Sequence, residues 1–139
     1  MSVPKSKRSD GQLTVFVKAS NLASYTMEIC SNEKNFPKHY RWCLTSKIVD
    51  AAVAICENLT LANAVFVQDK SDYLLRKEYQ NKALASTYSL LTIMDIAYRR
   101  LKIDNDRIEF WTGLVIEVQN YIRSWKKSDG ERYKTINIG

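Results

Sequence analysis

Four glycines and two prolines in 139 residues are too few turn formers for a many-stranded fold, whereas long helices joined by a few links need no more. Long hydrophobic runs are missing as well: none approaches the roughly 20 apolar residues that cross a bilayer. The opening segment, Met1 to Gly11, is basic but is followed by no apolar h-region, so a solvated tail is expected rather than a secretory signal. Histidine is nearly absent. His39 alone cannot build a metal cluster or a Cys–His pair, nor the paired Glu-x-x-His motifs of a di-iron bundle. The three cysteines, Cys30, Cys43 and Cys56, are odd in number and form no C-x-x-C, which argues against a disulfide framework or a zinc site. They are expected to be small buried hydrophobes in a reducing, cytoplasmic setting.

Catalytic motifs are lacking too. No G-x-x-x-x-G-K-S/T or G-x-G-x-x-G loop is present to cradle phosphate, and no G-x-S-x-G nucleophile elbow occurs. The carboxylates Asp50, Glu57, Asp95 and Glu117 lie within helical patterns, where a solvated stripe or pairing with neighbouring Lys and Arg accounts for them. The chain is therefore expected to have no enzymatic activity, no cofactor and no metal.

What the sequence does contain is helical periodicity. From about Gln12 to Asn32, Val15, Ala19, Leu22, Thr26 and Ile29 recur at steps of four and three, one face of a helix that Phe16 and Tyr25 widen. Asn35 and Pro37 then mark a helix start, and Leu44, Ile48, Ala51, Ile55, Leu59, Ala62 and Phe66 carry a second stripe from about Pro37 to Val67. A third helix is read from about Ser71 to Leu101, with a stripe of Leu84, Thr87, Leu91, Met94, Tyr98 and Leu101 and a weaker first half that protrudes or packs on another subunit. In the fourth, Ile108, Trp111, Val115, Val118, Ile122 and Trp125 fall at alternating steps of three and four behind a capping Asp104, and Gly113 either admits a neighbour's bulky side chain, the reading preferred, or is simply tolerated. Short links between long amphipathic helices give an all-α, antiparallel up-down-up-down four-helix bundle over residues 12–127, flanked by a disordered basic tail (1–11) and a flexible C-terminal tail (128–139).

Charge is the remaining signal. The formal net charge is +6 and the isoelectric point about 9.2, and the bundle keeps +4 of that charge once Lys5, Lys7 and Arg8 are set against Asp10 in the N-terminal tail. An up-down bundle brings the first and third links to one pole. That pole collects Lys34, Lys38, Arg41, Arg99, Arg100, Lys102 and Arg107, interleaved with Tyr40, Trp42 and Tyr98 and partly offset by Glu33, Asp104 and Asp106. The opposite pole gathers Lys70, Arg76, Lys77, Arg123, Lys126 and Lys127. Cations interleaved with aromatic rings suit phosphate backbones and stacked bases.

Two stretches carry a resemblance. Residues 36–48, FPKHYRWCLTSKI, resemble the FPK-x-x-R-x-x-L-x-x-x-I segment that opens helix two in the S23 and accessory variability determinant type of four-helix-bundle proteins. Residues 97–103 (AYRRLKI) and 122–128 (IRSWKKS) look like the far end of the accessory variability determinant branch, which serves diversity-generating retroelements. The sister branch, encoded in intervening sequences of 23S ribosomal RNA genes, usually continues helix two with an N-I-A-E-G-like run, and residues 57–63 (ENLTLAN) lack its glycine. The resemblance implies a homopentameric, non-catalytic accessory protein that binds a reverse transcriptase and RNA, with DNA as a further candidate ligand, in support of mutagenic cDNA synthesis. The other reading is a structural oligomerisation module of the intervening-sequence type with a protein partner. The expected contact residues are Lys38, Tyr40, Arg41, Arg99, Arg100, Lys102, Arg123, Lys126 and Lys127.

Overall fold

The computed structural model describes residues 10–136. Four helices, α1 (Asp10–Ser31), α2 (Ser46–Ala64), α3 (Lys70–Arg100) and α4 (Asn105–Arg132), run antiparallel to their chain neighbours, and no strand occurs among the described residues. Contacts join α1 to α2, α2 to α3, α3 to α4 and α4 back to α1, with α2 and α3 the most extensively packed pair. That pattern closes a four-helix square, as the short links require.

The core follows the expected stripes on α1 and α4. Val15, Ala19, Leu22, Thr26 and Ile29 are buried on α1, as are Trp111, Val115, Val118, Ile122 and Trp125 on α4. Burying Thr26 and the Trp111 indole together would strand two polar groups. The structure pairs them: Trp111 Nε1 donates to Thr26 Oγ1 at 3.0 Å, and the same hydroxyl donates to the Leu22 carbonyl at 2.7 Å. Edge-on aromatic pairs, Phe36 against Trp111 and Phe16 against Trp125, fill the two ends of the α1–α4 seam. Asp104 caps α4, accepting from the Arg107 amide at 2.9 Å, and Asp69 caps α3, accepting from that of Asp72 at 3.0 Å.

Several expectations need correcting. Helix two does not run unbroken from Pro37. Instead a 3₁₀ turn (Lys38–Tyr40) leads into a π-helical turn (Arg41–Thr45), and the α-helix starts only at Ser46. The wide turn breaks the normal pairing of main-chain groups, and the Ser46 hydroxyl donates to the Trp42 carbonyl at 3.2 Å. Asn35 does not cap this segment; it is buried in the preceding link. Helix two also ends early, at Ala64. Phe66, assigned to the core stripe, stands in the link beyond an extended Val65 with 78% of its surface exposed, and the Val65 carbonyl accepts from Arg76 Nη2 at 2.7 Å.

On α3 the buried line is Arg76, Gln80, Ala83, Thr87, Leu90, Met94 and Ala97; Leu84 and Leu91 flank it and Tyr98 is exposed. The weak first half of the helix therefore has a stripe, but a polar one, and it faces the end of α4. There the expected flexible tail is helical through Arg132, with Asp129 only 1% exposed. Gly113 is exposed and a Cβ placed on it would meet no atom within 4 Å, so no side chain of its own chain occupies the space. Cys43 is exposed, Cys56 half-buried and only Cys30 fully buried, all as free thiols. The basic segment of residues 1–9 lies outside the described residues.

Candidate nucleic-acid interface

At the pole formed by the α1–α2 and α3–α4 links, residues from two distant parts of the chain meet. Arg100, in the last turn of α3, donates through Nε to the Tyr40 hydroxyl at 3.1 Å. Tyr40 in turn lies against the His39 ring, with centroids 4.3 Å apart. Tyr98 donates to the Asn105 side-chain carbonyl across the α3–α4 link. Trp42, put outward by the π turn, is 80% exposed, an open ring face beside Arg41.

The cations at this pole are loosely held. Lys38 Nζ lies 3.4 Å from Glu33, Arg99 Nε 3.0 Å from Asp95, and Arg107 Nε 3.5 Å from Asp104, each pair well exposed. Exposed pairs of this kind contribute about 0–1 kcal/mol, so a phosphate can replace the carboxylate at little cost. Arg41 and Lys102 are exposed and form no ion pair among the described residues. The Asp104 carboxyl is held below its usual range chiefly by the Arg107 backbone amide, so it stays anionic as a cap.

A recess of about 350 Å³ opens beside this surface, between the end of α1 and the π turn. Cys30, Phe36 and Pro37 line its apolar side, and Lys38, Arg41 and Thr45 its polar side, with Glu33 also on its wall. Burial pushes the Cys30 thiol up to about 12, so it is a neutral wall rather than a nucleophile.

The opposite pole is built differently. Arg76, expected at the surface, is buried: Nη1 lies 3.4 Å from Asp129, and the Tyr133 hydroxyl is at the same distance. Gln80 donates to Asp129 Oδ2 at 2.9 Å. Arg123 bonds the Tyr88 hydroxyl and stands over its ring. Partial burial, then the charges of Lys77 and Arg123, lower the Lys126 pKa from the usual lysine value. Lys127 is exposed.

Sequence reading thus places Lys38, Tyr40, Arg41, Arg99, Arg100 and Lys102 at one pole and Arg123, Lys126 and Lys127 at the other. It missed Thr45 and the recess, which depend on a π turn that no motif announces. It also missed Asp129, although the step from Trp125 continues the stripe of α4.

The fold is similar to that of a crystal structure of a protein of unknown function from the S23 ribosomal protein family of Bacteroides thetaiotaomicron VPI-5482. The TM-score is 0.69 at 17% sequence identity, over 84% of this chain and 98% of that one. No family model and no curated protein matches the sequence. At that identity the likeness establishes the architecture: four antiparallel helices without strands. No group of three or more His, Cys, Asp or Glu side chains that could hold a metal lies among the described residues, and none of their helices is long and apolar enough to cross a membrane.

Proposed function

We propose that this chain is a non-catalytic accessory protein of a diversity-generating retroelement, which binds RNA through the pole around Tyr40 and Arg100 and docks on a reverse transcriptase. The observation that carries the RNA-binding part is the convergence at that pole. Arg41 and Lys102 form no ion pair among the described residues, Lys38 and Arg99 are held only by exposed carboxylates, and Tyr40, Trp42 and Tyr98 lie among them. This is the chemistry of a phosphate backbone with bases stacked on open rings. The resemblance of residues 97–103 and 122–128 to the accessory variability determinant branch supports the choice of polymerase partner, and the S23-type fold agrees with it.

The test is fluorescence anisotropy with labelled single-stranded RNA at two salt concentrations. Backbone-driven binding should weaken steeply as salt rises and show little sequence preference. Binding that ignores salt, or no binding at low salt, would contradict this reading.

A second reading, a structural oligomerisation module, has its own observation. Phe110 and Ile116 on α4 and Val17 and Met27 on α1 are each 44% exposed or more, apolar surface of the kind that interfaces cover. The two readings meet in the proposed homopentamer. Light scattering should give a multiple of the 16.1 kDa chain mass, and a monomer at micromolar concentration would exclude that assembly.

A further inference from the structure

We infer that Trp42 is the base-stacking platform of the RNA-binding pole, and that it makes the pole select strands with unpaired bases over duplex RNA. This deepens the RNA-binding reading and rests on it.

The backbone around Trp42 holds it outward. Leu44, two residues on and so nearly opposite on a helical turn, is buried and anchors the π turn in the core. Ser46 closes the turn: its amide donates to the Arg41 carbonyl and its hydroxyl to the Trp42 carbonyl at 3.2 Å. Rooted in this way, Trp42 is 80% exposed, while Trp111 and Trp125 are 0% and 4% exposed. An indole has only two rotatable side-chain bonds, so it offers a large face at a low cost in entropy.

The other two rings of the pole are engaged. Tyr40 is half-buried, its ring lies against His39, and its hydroxyl accepts from Arg100. Tyr98 is 38% exposed and tied through its hydroxyl to Asn105. Among the described residues no ring contact or hydrogen bond engages the Trp42 indole.

Charge decides which occupant fits that open face. Arg41 precedes Trp42 and forms no ion pair among the described residues, and Lys38, four residues back, is held only by the exposed Glu33. A purely apolar partner would strip water from these cations and return nothing. A nucleotide brings a π face for the indole and a phosphate for the cations. In an A-form duplex the bases are already paired and stacked on one another, so only a strand with unpaired bases offers that face. Electrostatics alone would rank the two ligands the other way, because a duplex carries the charge of two strands.

The experiment titrates one short unstructured RNA, free and annealed to its complement, into wild-type protein, Trp42→Ala and Trp42→Tyr, read by anisotropy. Iodide quenching of intrinsic fluorescence reads Trp42 selectively, since the other two tryptophans are buried. The wild type should prefer the single strand, and that strand should shield Trp42 from iodide. Trp42→Ala should lose at least about fivefold in affinity for the single strand and change little on the duplex, with unaltered circular dichroism. Trp42→Tyr, which keeps an aromatic face, should retain most of the preference. Salt-sensitive binding of the single strand that Trp42→Ala leaves intact would overturn the platform and leave the RNA-binding reading standing. Equal losses on both ligands would do the same, marking a general effect on the pole. Trp42 already closed to iodide in RNA-free protein would assign the ring to a second copy of the chain and overturn the platform too. No binding of either ligand would overturn both readings.

Discussion

The two poles of this bundle carry similar side chains and use them in opposite ways. Near the α2–α3 link, Arg76 lies inside the protein, with Asp129, Tyr133 and the Val65 carbonyl around its guanidinium. Across the molecule, Arg99 and Arg100 stand in water, one against an exposed carboxylate and one against a tyrosine hydroxyl. Both poles hold arginines; the position of the carboxylate separates Arg76 from the rest. Asp129 sits on the inward line of α4 and draws its partner in, while Glu33, Asp95 and Asp104 lie on outward faces and hold theirs loosely. A buried cation is committed to stability, and an exposed one remains open to exchange for phosphate.

The largest effect should come from breaking the buried side. Asp129→Ala leaves Arg76 and Gln80 without their acceptor and should lower stability by about 3–5 kcal/mol in urea denaturation. Pairing Leu at Asp129 with Met at Arg76 should recover most of that loss, because replacing both buried charges by apolar groups is often near neutral. By contrast Arg41→Ala or Arg100→Ala should change stability by no more than about 0.5 kcal/mol. If Asp129→Ala were as mild as these, the distinction between the poles would fail.

Gly113 offers a smaller test, away from both poles. With no side chain of its own chain near it, Gly113→Ala should raise stability by about 0.8–1.0 kcal/mol, the helix-propensity difference, unless the oligomer covers the Phe110–Ile116 face on which it lies; the melting temperature reads the sign. A loss would show that something packs against this face in solution.

The subtlest prediction concerns the α4 cap. Asp104 has its folded pKa depressed, so its contribution is fully present above the ordinary aspartate value of about 3.9 and is lost as pH falls through the lower folded value. Asp104→Ala should therefore melt below the wild type at neutral pH, and the two curves should converge in acid. A gap independent of pH would assign the effect to packing.

Much of this architecture was legible in the sequence, because α1 and α4 bury nearly pure apolar stripes: Val15 to Ile29, and Trp111 to Trp125. Misreadings arose where polar residues hold buried positions. Arg76, Gln80 and Asp129 keep the helical spacing, but they bond one another as polar residues and so give no hydrophobic signal. Phe66 misled in the other direction, an apolar residue in register with a helix that had already ended. The basic surface was legible through topology alone, since antiparallel helices must bring residues 34–41 and 99–107 together. The recess was not, since it depends on the backbone widening at Arg41–Thr45.

The most direct test of the central claim sets the two poles against each other in one RNA titration. One double variant carries Arg41→Ala and Arg100→Ala; the other carries Lys126→Ala and Lys127→Ala, removing the same formal charge. If the open pole is the contact surface, the first variant should lose at least tenfold in affinity and show a shallower salt dependence, while the second stays within about threefold of wild type. Equal losses in both variants, or a larger loss in the second, would contradict the account.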